Sequence, residues 1–110
     1  MNDDLKARLL KSRLGEKTIP IEGVGTVRVR GLSRGEVLLL QKSSSNPTQL
    51  EQKIIAVGMV DPVMSEKEVA TWQKVATSGE IDEVVSQINV LSGLAQGAQK
   101  SDVPGPGDEA

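Results

Sequence analysis

Apolar and polar positions change their rhythm several times along the chain, and each change marks an element. Between Thr26 and Arg30 the valines Val27 and Val29 alternate with Arg28 and Arg30, which puts one apolar and one cationic face on an extended strand. Gly31 ends that strand. Ser33 and Glu36 follow at the S-x-x-E spacing, in which the hydroxyl accepts from an orphan helix amide and the carboxylate reaches back, and Leu32 and Val37 are placed as the hydrophobic staple. Upstream, Thr18-Ile-Pro-Ile-Glu-Gly-Val-Gly25 supplies a second short strand and a glycine-containing turn, so the two runs form a hairpin. Pro20 has no amide to give to a ladder, which assigns the first strand to a sheet edge.

Elsewhere the spacing is helical. Asp3 and Asp4 precede Leu5, Leu9, Leu10 and Leu14, which predicts an amino-terminal helix with acidic residues in its first turn, ended by Gly15. The helix opened by Ser33 carries Val37 to Leu40 and dissolves into Ser43-Ser-Ser-Asn46. Asn46 then caps a helix with Pro47 at its first position and Gln49 at its third; Leu50, Ile54 and Val57 recur along it, and Asp61-Pro62 ends the segment. Ser65 and Glu68 repeat the capping box, opening a helix with Val69, Trp72 and Ala76 on one face. Ser78-Gly79 breaks the chain before the longest stripe, Ile81, Val84, Val85, Ile88 and Leu91, whose first turn holds Glu80, Asp82 and Glu83. From Gly97 the chain turns to Gln, Lys, Ser, Pro and Gly, too poor in apolar residues to fold alone. The fold class expected is α+β: a small single domain with one antiparallel β-hairpin packed with about five α-helices, followed by a flexible C-terminal tail.

Composition narrows the chemistry. A chain of 110 residues fits one domain. With no cysteine and no histidine, it has no disulfide, no zinc site built from Cys or His, and no imidazole or thiolate for catalysis. Trp72 is its single aromatic residue, too little for a base-stacking platform. No run approaches the about 20 apolar residues that span a bilayer, and the amino terminus lacks a signal-type apolar segment; the expectation is a soluble, intracellular protein with no membrane partner. Charge is uneven: residues 1–42 hold nine Lys/Arg against five Asp/Glu, and residues 43–110 hold four against ten. That asymmetry of +4 and −6 can steer a charged partner or favour contact between copies of the chain. The acidic total and scattered basic residues argue against nucleic acid.

Few residues suggest a site. Gly23, Gly25, Gly31 and Gly35 invite comparison with a phosphate loop, but no G-x-x-x-x-G-K-S/T is present, and a turn and a strand end need glycine for backbone reasons alone. Glu66, Glu68, Glu80, Asp82 and Glu83 lack calcium-loop spacing and suit helix first turns. No carboxylate pair stands out for acid–base work, so neither a metal, a cofactor nor an enzymatic role is expected. Trp72 is either a core anchor or an interface hot spot. Arg28, Arg30 and Arg34 gather around the hairpin and the following turn, where they either meet an acidic partner or form a solvated face. Arg28, Arg30, Arg34 and Trp72 are therefore the candidate partner-binding residues.

The order of these signals resembles the tail assembly chaperones of long-tailed bacteriophages. The resemblance rests on Thr26-Val-Arg-Val-Arg-Gly-Leu-Ser-Arg-Gly-Glu36, on Ile55-Ala-Val-Gly-Met-Val-Asp61 before a Ser-x-x-Glu helix, and on a late helix ending Ile88-Asn-Val-Leu-Ser-Gly-Leu94. It covers about residues 3 to 96, so residues 1–96 would form a chaperone-like domain and 97–110 a flexible Pro/Gly tail. What it implies is a non-enzymatic protein of the host cell cytoplasm that binds the tape-measure protein, recruits the major tail-tube protein, associates with itself and is absent from the mature virion. In that family a longer form often arises by frameshifting near the end of the short product. Two rival readings are a structural minor tail or connector protein of the virion, and a small regulatory module that binds nucleic acid.

Overall fold

In a computed structural model, residues 2–94 are described. Five helices and three strands follow the order α1 (Asn2–Leu10), β1 (Glu16–Ile21), β2 (Gly25–Arg30), α2 (Arg34–Ser43), α3 (Pro47–Gly58), β3 (Met59–Asp61), α4 (Glu66–Val75) and α5 (Ser78–Leu91). The architecture is α+β, as the patterning predicts. The expected Pro/Gly tail, residues 97–110, lies outside the described residues.

The sheet is antiparallel with strand order β1-β2-β3. Pro20 sits on the edge strand β1, opposite Thr26, and Gly23 and Gly25 take positive φ values of 80° and 136° at the hairpin turn, a region that a Cβ disfavours. The central strand is β2, because β3 pairs on its other side with Val29 opposite Met59 and Arg28 opposite Asp61. That third strand extends the sheet beyond the hairpin read from the sequence. Its three residues continue the apolar texture of α3, and their pairing partner lies about thirty residues upstream, so local spacing does not reveal it.

Caps formed largely as written. Ser33 and Ser65 each accept from the amide three residues on, and Glu36 and Glu68 reach back to the cap amides. Asn46 caps α3 through Gln49 N at 2.8 Å. Two boundaries differ from expectation. Thr77, not the Ser78-Gly79 pair, precedes α5: its hydroxyl accepts from Glu80 N at 3.2 Å, so Ser78 and Gly79 become the first helical turn. The other is α1, which stops at Leu10 and leaves Leu14 outside, where the Arg13 guanidinium donates to the carbonyls of Arg8 and Leu9 at 2.7 and 3.1 Å and thereby satisfies two of the orphan acceptors at the helix end.

One core joins the inner face of the sheet to α3, α4 and α5. Val29, Ile55, Val69, Val84 and Ile88 are fully buried there, each contributing roughly 1.5–3 kcal/mol by leaving water. Two glycines set how closely elements approach. A Cβ on Gly58 would stand 2.7 Å from Ile88 Cδ1, and one on Gly31 would run into the Leu91 carbonyl at the end of α5. The contact at Gly31 is secured by Ser92, whose hydroxyl accepts from Leu32 N at 2.7 Å and donates to Ile88 O at 2.6 Å. Strand end, helix start and the end of α5 thus meet at one junction.

Candidate functional site

The three arginines read as one cationic surface have separate fates. Arg30 closes on Glu36 with two hydrogen bonds, Nη1 to Oε1 at 3.0 Å and Nη2 to Oε2 at 2.8 Å. The same carboxylate caps Ser33 N at 2.9 Å. The hydrogen bond from Arg30 holds the Glu36 carboxyl down at about 2, against the opposing effect of burial and with help from Ser33, while Glu36 in turn raises Arg30. Arg30 is therefore a fastener between β2 and α2. Arg28 reaches diagonally across the hairpin to Glu16 at 3.1 Å with both side chains about half exposed, a weak cross-strand pair.

Arg34 is different. As the first residue of α2 it is exposed and forms no ion pair among the described residues. The positive end of a helix dipole disfavours a cation there, so its placement has no stabilising explanation among the described residues. One turn on, Leu38 shares its face, with Leu39 beside it and 64% exposed. No residue of α2 is fully buried; Val37 and Leu40 pack against the core, and Leu38 and Leu39 face solvent.

Trp72 lies away from these residues. Val27 and Trp72 both line a shallow apolar groove of about 320 Å³ near the hairpin turn, with Ile21, Val24, Met59, Met64 and Val75. Arg28 points from the opposite face of β2, by strand alternation. The indole is half-buried against the core edge, and its Nε1 donates to Glu80 Oε2 at 2.7 Å. Trp72 thus serves as a groove wall with one polar anchor, between the core and interface roles weighed for it. Glu68 and Glu80 stand on the groove's rim, and an adjoining hollow adds Glu22 and Glu83.

A larger hollow of about 510 Å³ between α3, α4 and α5 is lined by polar side chains together with Ala70, Ala76 and Ile81, with Gln73 donating to Glu51 and accepting from Gln52, both at 2.8 Å. Among the described residues no cluster of His, Cys, Asp or Glu has the makings of a metal site, and no helix is long and apolar enough to cross a membrane. The α2 leucines were not foreseen as surface residues, although the signal was present: a run of four apolar residues in a helix cannot all face one core. The groove was not foreseen either, because seven separate elements and turns assemble it. Compared with protein families, with characterised proteins and with solved structures, the chain matches none.

Proposed function

We propose that the protein acts by binding other polypeptides, as a tail assembly chaperone of the long-tailed bacteriophage type, with the tape-measure protein as its client and the tail-tube protein as a second partner. The observation that carries this reading is the outer face of α2, where Leu38 and Leu39 stand exposed beside Arg34, which forms no ion pair among the described residues. An apolar pair next to a cation suits a long amphipathic helix that presents an apolar stripe and acidic residues. Contacts of that kind exclude water over a modest area and release readily, as a factor shed during polymerisation requires. The motif order from Thr26 to Glu36 and from Ile55 to Leu94 supports the family assignment.

Co-expression with a tape-measure protein of a long-tailed bacteriophage tests the proposal. The client is expected to stay soluble and to elute with the chain; a client that aggregates regardless, and a tube protein that fails to co-elute, would overturn it. Stoichiometric presence in mature virions would instead support a structural tail component.

A further inference from the structure

Two surfaces lack a partner among the described residues and match each other. All described side chains of α1 are exposed, including Leu5 and Leu9 on one face, with Leu9 at 62%. On a helix, Lys6 and Arg8 flank that leucine stripe on opposite sides. The groove beside Trp72 is apolar, two of its lining residues are the adaptable methionines Met59 and Met64, and Val75 stands 77% exposed at its edge. Its rim carboxylates Glu68 and Glu80, with Glu22 and Glu83 beyond them, form no ion pair among the described residues, and neither does Lys6; Arg8 makes only an exposed i,i+4 pair with Asp4 at 3.4 Å, which is weak enough to open for another carboxylate.

A molecule's own α1 is poorly tethered for this groove. The tether leaves the hairpin at its base, where Gly31 N donates to Gly15 O at 3.0 Å. From Gly15 to Ile21 the strand covers about 20 Å at roughly 3.3 Å per residue, whereas the chain from Gly15 back to Leu10 spans at most about 18 Å when fully extended. Only a taut tether, stripped of the Arg13 hydrogen bonds that hold the end of α1, would bring the helix to the groove's edge.

We propose that α1 of one copy seats Leu5 and Leu9 in the Trp72 groove of a second copy, with Lys6 and Arg8 facing the carboxylates on its rim. The contact joins two different surfaces, so copies either exchange helices in a closed pair or follow one another head to tail. It does not rest on the chaperone reading, since it needs no client. Burial of Trp72, the sole tryptophan, under a neighbouring helix makes its fluorescence a direct reporter.

Sedimentation of the full chain over a concentration series, with Leu9→Asp and Val75→Asp variants, tests the contact. Both positions are exposed, so both variants should keep the far-UV spectrum of the wild type. The wild type is expected to associate with a blue shift of Trp72 emission, and to dissociate as salt rises. Each variant alone should be monomeric, while an equimolar mixture should form a binary complex, because one intact α1 then meets one intact groove. A wild type that stays monomeric, a mixture that stays monomeric, or association lost by Leu9→Asp but kept by Val75→Asp would each overturn the proposal; the last would mean that α1 pairs with another α1.

Discussion

The Arg30 guanidinium and the Glu36 carboxylate meet through two near-parallel hydrogen bonds of 3.0 and 2.8 Å, tying the end of β2 to the first turn of α2. One carboxylate thus serves both the helix cap and the strand. Its pKa, lowered from 4.5 to about 2, means that the folded state binds this proton less readily than the unfolded chain. The pair's stabilisation is therefore fully present above about pH 4.5 and is lost as pH falls toward 2. Glu36→Gln keeps a group able to cap Ser33 but removes the charge. It should cost about 1 kcal/mol at neutral pH, a figure discounted because the Glu36 side chain is a third exposed. Urea unfolding at pH 7 and at pH 3 checks this: the gap between variant and wild type should shrink at the lower pH.

Gly31 has no room for a side chain against the Leu91–Ser92 backbone. Gly31→Ala must displace the end of α5 or the start of α2, and the expected cost is about 1–3 kcal/mol. Thermal unfolding should show a midpoint lowered by roughly 4–8 °C for each kcal/mol. Gly35, which has no neighbour nearer than 3.9 Å to its added Cβ, supplies the control: Gly35→Ala should be neutral or slightly stabilising.

Trp72→Phe retains most of the apolar wall of the groove but loses the 2.7 Å hydrogen bond to Glu80. The expected loss is about 1 kcal/mol. Trp72→Ala should cost about 2 kcal/mol, less than the roughly 3–5 typical of a core tryptophan, since the ring is half-buried. Circular dichroism in urea gives both values without relying on the indole.

How much of this was legible in the sequence depends on how local each feature is. Ser33, Asn46 and Ser65 cap helices because the partner amide lies three residues away, and Pro20 marks an edge because it lacks an amide wherever it stands. The same alternation that placed Arg28 and Arg30 on the outer side of β2 could not say what waits there. Glu16 and Glu36 arrive from the neighbouring strand and the next helix, the first pairing weakly with Arg28 and the second fastening Arg30. Leu14 had helical spacing, but α1 ends earlier, where Arg13 folds back on it. The Trp72 groove was illegible for a deeper reason: Ile21, Val24, Met64 and Val75 are distant in sequence and share no period. Of the three arginines, Arg34 is the one without an ion pair among the described residues, and it acquires meaning only beside Leu38 and Leu39.

Exposed leucines on α2 contribute little to folding. Leu39→Ser and Arg34→Ser should each shift stability by no more than about 0.5 kcal/mol in urea titrations; a larger loss would mean that this face packs within the protein.

Client capture by that face is the central claim, and co-expression of the tape-measure protein with the wild type and with a Leu38→Asp/Leu39→Asp variant tests it most directly. The quantity to read is the soluble client that co-elutes with the chain. A soluble complex is expected with the wild type and its loss with the variant, whose own fold and yield are unchanged. Equal recovery of soluble client with both proteins would contradict it.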